Sequence, residues 1–329
     1  MKFWRVLIAA LLLAAAGLAG AAWWWLNRPL PLAADTVEVS IELGTAPRDI
    51  AMAWVQAGVQ ASPRLLYEWF RWSGQARKIR AGSYEIGRGT TPVALLRKMV
   101  RGDETLAVVR FNEGWTFRQL RAELAKAEAL KPQTAAMSDA EIMQALGAPG
   151  VPAEGRFYPD TYAYSKGSAD LAVLRRAYKA MQRRLDAAWQ ERTPDTPLKS
   201  PDEALTLASI VEKETGLPAD RGRIAGVFIN RLRLGMPLQT DPSVIYGLGP
   251  AFDGNLRKRD LQADTPHNTY TRPGLPPTPI AMPGRLSLLA AVRPEPTKAL
   301  YFVSRGDGSS EFSENLAEHN RAVNRYQRK

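Results

Sequence analysis

The sequence predicts an α+β protein carried on a single N-terminal transmembrane helix, with a small α+β module followed by a larger mixed α+β domain. Three observations predict this. An uncharged run of 21 residues lies near the start, and a strand–helix–helix–strand pattern follows it. A mainly helical stretch then gives way to segments rich in Pro, Gly, Thr and Asn. The length, 329 residues, suits two domains, or three if one is small, and a hydrophobic share of 45% supplies enough apolar material for a sizeable core.

The uncharged run extends from Val6 to Leu26. A helix of that length rises about 32 Å, enough to cross a hydrocarbon core of about 30 Å. Trp23, Trp24 and Trp25 close it where an aromatic belt belongs. Lys2 and Arg5 precede the run and Arg28 follows it, so the positive-inside bias puts residues 1–5 in the cytoplasm and the remaining chain outside. Ala19, Gly20, Ala21 and Ala22 would suit a signal-peptide cleavage site. The apolar run continues past them into three tryptophans, and an uncleaved anchor over 6–26 is expected.

Residues 27–35 carry two prolines and are expected to form a short, stiff linker. A compact module is expected over 36–112. Val37, Val39 and Ile41 alternate as a strand. Gly44 and Pro47 open a helix to about Ala57 with Ile50, Ala51 and Trp54 on one face, and Pro63 starts another with Leu65, Leu66, Trp69 and Phe70 as its apolar stripe. Gly82 to Gly87 returns as a strand. Thr91 caps a third helix that Pro92 begins, and Val108 to Phe111 forms a last strand. The order resembles the LysM type of glycan-binding module.

The larger domain is expected over 113–329. From Thr116 to about Arg192 the periodicity is mostly helical, interrupted by EGRFYPDTYAY from Glu154 to Tyr164. Ser200 caps a helix with Pro201 at its first position and Asp202 and Glu203 in its first turn, while Gly216 and Pro218 stop it. Glu212 and Glu214 therefore occupy the last turn, where the helix dipole disfavours negative charge and raises a carboxyl pKa. Two residues apart, they project about 200° from each other and do not share a cleft. Glu214 has Leu207, Ile210 and Val211 beneath it, whereas Glu212 has Ala208 and Ser209, so Glu214 is the better candidate for a protonated acid. A solvated helix end would read the same way. Asp220 is expected to cap a second helix to about Leu234, in which Gly222 and Gly226 permit close helix contact. The polar segments Leu238 to Gly249, His267 to Gly284 and Phe312 to Asn320 read as loops suited to sugar hydroxyl and acetamido groups, or equally to local backbone bonding.

Net charge is +11, which permits nucleic acid, anionic lipid or an anionic polymer as partner. The expected orientation exports the basic domain away from DNA, so no nucleic-acid role is expected. Cysteine is absent, which excludes disulfides and thiolate metal sites, and two histidines give no basis for a histidine-rich one. No metal or cofactor is expected.

The segments LASIVEKET, VFINRLRLGMPLQTDPSVIYGLG, HNTYTRPGLPPTPIAMPG and YFVSRGDGSSEFSENLAEHN, with EGRFYPDTY upstream, together resemble the MltG (YceG-like) family of endolytic murein transglycosylases. The resemblance runs from the anchor nearly to Lys329. It implies a membrane-bound lyase of the inner membrane that cleaves N-acetylmuramic acid–N-acetylglucosamine bonds in nascent peptidoglycan glycan strands outside the cytoplasm. Strand ends would be left as 1,6-anhydro-muramic acid, strand elongation would end there, and peptidoglycan synthases would be partners. The family's catalytic glutamate falls on Glu214, with Glu212 the alternative. Gln239, Thr240, Asp241, Asn268, Tyr270 and Glu154 fall on cleft segments and would position substrate. Two rival readings stand beside it. One is a non-catalytic wall-binding or division scaffold. The other is a glycan hydrolase, which would need a second carboxylate about 5–9.5 Å from the first, with Asp241 the candidate.

Overall fold

The computed structural model describes residues 2–42 and 44–327. Met1, Leu43, Arg328 and Lys329 lie outside the described residues, and with them the extreme ends of the expected segments 1–5 and 113–329. The fold is mixed α and β, and the chain separates into two compact units.

The first unit takes in the chain to Ala107, with Glu128–Leu130 and Ala163–Ser168 added. It begins with the apolar helix α1 (Lys2–Asn27), long and hydrophobic enough to cross a membrane and not buried against other parts of the protein over its apolar window. Next come β1 (Thr36–Ile41), α2 (Pro47–Gln56), α3 (Pro63–Trp72), β2 (Gly82–Gly87) and α4 (Pro92–Arg101). β1 and β2 pair antiparallel from Thr36 opposite Gly87 to Ile41 opposite Gly82. Alternation along β1 sends Val37, Val39 and Ile41 inward, where they meet Trp54 of α2, Leu66 and Phe70 of α3, and Leu95 and Met99 of α4. Helix starts follow the chemistry of their sequences. Proline sits in the first turn of each, and Thr91 accepts a hydrogen bond from the Ala94 N–H to cap α4. Gly102, at φ 71°, ends α4 in the left-handed conformation that glycine adopts most readily.

Residues 27–35, expected as a linker, are fastened to this unit. Leu30 is buried and donates its N–H to the Thr90 carbonyl at 2.8 Å. Ala33 donates to Gly58, Gln60 donates to Pro31, and Leu32 bridges to Val59. Trp25, in the last turn of α1, already packs on the core.

Two further strands, β3 (Leu106–Arg110) and β4 (Thr161–Ser165), form a two-stranded sheet. The aromatic-rich segment expected only to interrupt helices thus contributes a strand of its own.

The second unit holds α5 (Phe117–Leu124), α6 (Asp139–Ala145), α7 (Asp170–Gln190), α8 (Pro201–Glu214), α9 (Pro218–Arg233), α10 (Asp241–Leu248), α11 (Lys258–Gln262) and α12 (Arg285–Val292). The antiparallel hairpin β5 (Tyr301–Ser304) and β6 (Ser310–Ser313) and the helix α13 (Leu316–Tyr326) complete it. α8 is its axis: every residue from Ala204 to Val211 is buried, and α7, α9, α10 and α12 pack around it. Its two buried hydroxyls are satisfied locally, Thr206 by the Asp202 carbonyl and Ser209 by the Thr206 carbonyl. Ser209 also accepts the Ile280 N–H, which pins the proline-rich segment to the axis.

Three local expectations are corrected. Residues 116–192 hold less helix than the periodicity suggests, because α5 and α6 are short and long stretches between them are irregular. α9 starts at Pro218 with Leu217 at its N-cap, since a proline's fixed φ suits the first helical position. Asp220 lies inside that first turn, and its carboxylate accepts the Ser310 N–H at 2.8 Å, tying down the hairpin. Finally, Gly222 and Gly226 do make room for close approach, but to the extended segment at Glu295 and Thr297 rather than to a helix.

Candidate active site

α8 ends by delivering two glutamates to different surroundings. Glu212 turns toward the N-terminus of α12: its carboxylate accepts the Gly284 N–H at 2.8 Å and pairs with Arg221 at 2.9 Å, and both side chains of that pair are buried. Glu113 lies over the same glycine, so closely that a Cβ on Gly284 would overlap its carboxylate. Burial and the neighbouring Glu212 push the Glu113 pKa up, with Arg221 opposing.

Glu214 turns the other way, toward α10. It is partly buried, and its Oε1 accepts a short hydrogen bond from the Thr240 hydroxyl. Burial lifts its pKa to about 7, with the Thr240 bond and Arg231 lowering it and the charge of Asp241 raising it. The divergence follows from their spacing on a helix.

Thr240 is held rigidly for this contact. It is the N-cap of α10, and its N–H donates to the Thr269 hydroxyl at 3.0 Å. Gln239 before it has φ 51°, a left-handed conformation unusual for a residue with a side chain. That turn is fixed by the Gln239 N–H to the Thr269 carbonyl at 3.0 Å and by Arg231, whose guanidinium donates to the Leu238 carbonyl and to the Gln239 side chain. Asp241 accepts the Tyr270 hydroxyl at 2.5 Å. Asn268 is fully buried; its amide donates to the Leu261 and Ala263 carbonyls and accepts the Tyr270 N–H. It shapes the loop that presents Thr269 and Tyr270 instead of facing outward. Thus Glu214, Gln239, Thr240, Asp241, Asn268 and Tyr270 belong to one connected cluster.

Glu154 belongs to an adjoining wall. It is buried, its carboxylate accepts the Phe117 N–H at 3.0 Å at the start of α5, and it is hydrogen-bonded to Tyr246. Burial raises its pKa to about 7 against those hydrogen bonds. It lines a pocket of about 930 Å³ with Lys213, Pro242, Tyr246, Phe252 and Thr278. Lys213 and Pro242 are the chain neighbours of Glu214 and Asp241, so α8 and α10 carry both the pocket and the cluster, while Glu214 and Asp241 themselves do not line the pocket. Among the described residues no group of carboxylates and histidines is arranged to hold a metal ion.

Sequence reasoning missed Tyr246, Thr269, Arg231, Arg221 and Glu113. The first follows from reading residues 238–249 as a loop. As a helix begun by Thr-Asp-Pro, that segment puts Pro242, Ile245 and Tyr246 on one face, all three lining the pocket.

The sequence profile described as the YceG-like family matches residues 39–325. The chain is similar to the endolytic murein transglycosylase of Bacillus subtilis (strain 168), 31% identical over 308 residues that cover 88% of this chain and 85% of that protein. It is also similar to the endolytic murein transglycosylase of Streptococcus pneumoniae serotype 2 (strain D39 / NCTC 7466), at 26% identity, covering 91% of this chain and 60% of that longer protein. A crystal structure of a YceG-like protein from Listeria monocytogenes superposes with a TM-score of 0.53 at 28% identity, covering 87% of this chain and 98% of that one.

Proposed function

The chain belongs to the YceG-like family, and from that premise we propose that it is an endolytic murein transglycosylase whose catalytic residue is Glu214. It is an enzyme of the cell wall, and its substrate is the glycan strand of peptidoglycan. The observation that carries the assignment is the environment of Glu214: a carboxyl lifted to about 7, with one oxygen engaged by Thr240 and the Asp241–Tyr270 pair beside it. Glu212, bound to Arg221 and Gly284, is committed to holding the fold.

With Oε1 accepting from Thr240, the acid proton sits on Oε2. Glu214 protonates the oxygen that joins N-acetylmuramic acid to N-acetylglucosamine, and the glycosidic bond breaks. The N-acetyl group of the muramic acid stabilises the cationic anomeric carbon. Glu214, now ionised and supported by the Thr240 hydroxyl, takes the proton of that sugar's 6-hydroxyl, whose oxygen closes the 1,6-anhydro ring. One carboxyl serves as acid and then base, so Asp241 is free to orient Tyr270. Gln239, Asp241 and Tyr270 line the approach, Asn268 holds their loop, and Glu154 with Tyr246 forms the neighbouring sugar-sized wall.

α1 is read as an uncleaved anchor with its N-terminus in the cytoplasm and the chain that follows it outside, against new wall. There the enzyme ends nascent strands beside the synthases that extend them. The β–α–α–β order of the first unit supports a LysM-like role in holding glycan. Mass spectrometry of nascent, uncrosslinked glycan digested by the full chain tests the reaction. Anhydro-muramic ends are expected; reducing ends would show hydrolysis, and binding without cleavage would show a scaffold.

A further inference from the structure

Away from the glutamate cluster, α7 presents an unusual face. Arg176, Lys179 and Arg183 share it with Ala180 and Ala187, because these positions fall near one another at 3.6 residues per turn. The alanines leave a floor with no bulk above it, and the cations form its rim. Tyr158 and Tyr162 make a second wall and Arg285, Leu288 and Leu289 of α12 a third, enclosing about 620 Å³. Arg184 stacks on the Tyr158 ring at 4.4 Å. Five cationic side chains line this pocket against two carboxylates, Asp160 and Glu191, and Glu191 is already paired with Arg293. Among the described residues, Arg176, Lys179, Arg183 and Arg285 make no hydrogen bond or ion pair. Like charges gathered without partners are unfavourable unless an anion joins them.

We infer that this pocket binds the acidic peptide stems carried by the glycan strand, so that the enzyme reads peptide as well as sugar. The inference rests on the proposed murein substrate. From Arg176 to Arg184 the cations extend over about 12 Å of helix axis, too long for one phosphate or diphosphate and suited to spaced carboxylates along an extended peptide. Guanidinium forks pair with carboxylates in two parallel hydrogen bonds, which favours arginine here. The pocket also adjoins the glutamate helix, because Arg285 follows Gly284, whose N–H is held by Glu212.

The test uses the full chain in lipid nanodiscs and three proteins: the wild type, Arg176→Glu/Arg183→Glu, and the control Arg321→Glu/Arg325→Glu, which reverses two exposed charges of α13. Each is assayed on uncrosslinked strands with stems, on the same strands stripped of stems by an amidase, and with added inorganic pyrophosphate. Removing the stems is expected to lower kcat/KM of the wild type and the control about tenfold, mainly through KM, and to leave that of the α7 variant unchanged. Equal losses in all three proteins would overturn the inference while leaving murein cleavage intact. So would a control that behaves like the α7 variant. Competition by pyrophosphate equally strong on strands with and without stems would assign the pocket to phosphate instead. A wild type that cleaves neither strand would overturn the murein reading itself, and this inference with it.

Discussion

The Thr240 hydroxyl reaches Oε1 of Glu214 across the junction of α8 and α10, donating to the ionised carboxylate and so drawing its pKa down while burial drives it up. The balance near 7 keeps both protonation states accessible at neutral pH, as the proposed acid-then-base role of Glu214 requires.

Glu214→Gln is expected to lower kcat by about a hundredfold or more, because the amide neither gives nor takes the proton. Unfolding by urea is expected to show stability unchanged or raised, since a buried acid is replaced by a neutral group of its own shape. Equal activity in the variant would move the catalytic role elsewhere.

The rate of the wild type is expected to fall as pH rises through about 7, where Glu214 loses its proton. In Thr240→Val the bond that favours the ionised form is gone, so this alkaline limb is expected to shift upward while kcat falls. Thr240→Ser is expected to restore the limb. A pH–rate profile of the three proteins measures both effects.

Stability carries the same signature. Glu154 and Glu214 have folded-state pKa values near 7, above the ordinary glutamate value of 4.5. Between those values the folded chain binds more protons than the unfolded one, so stability declines as pH rises from about 4.5 to 7 and levels off above. Denaturation of Glu154→Gln is expected to show a shallower decline over that window than wild type.

Glu212→Ala is expected to destabilise the protein by about 3–5 kcal/mol, since it strands the buried Arg221 guanidinium without its partner. Calorimetry would show the lower Tm. A variant as stable as wild type would mean that the pair does not hold the α8–α12 junction.

At Gly226 an added Cβ would lie 2.7 Å from the Glu295 carbonyl oxygen and 2.7 Å from the Thr297 methyl. The backbone oxygen cannot swing aside, so Gly226→Ala is expected to lower stability by about 1–3 kcal/mol. Gly216→Ala, where a Cβ meets open space, serves as the comparison in the same melts.

The sequence is most legible where local chemistry decides the structure. An unbroken apolar run, prolines in first turns and the alternation of Val37, Val39 and Ile41 need no distant partner to be read. The opposed directions of Glu212 and Glu214 were equally legible, because helix geometry alone separates them. Tertiary partners decide the remainder. Asp220 looks like a cap until Ser310 supplies a donor from 90 residues away, and Thr-Asp-Pro-Ser looks like a loop until Thr269 and Arg231 hold its start. Asn268 looks available to a ligand, yet its amide is used up on backbone carbonyls that sequence order does not reveal.

The short stretch after α1 has a mechanical consequence. Trp25 touches the interior of the first unit, and Leu30 is knotted into it by a backbone bond only three residues after the helix ends. Such an attachment has no slack to act as a swivel. With α1 set in a bilayer as proposed, any lean of the helix would be transmitted to the β1–β2 sheet as a lean of the same sense, and a thinner or thicker bilayer would raise or lower that sheet like a rod through a plate.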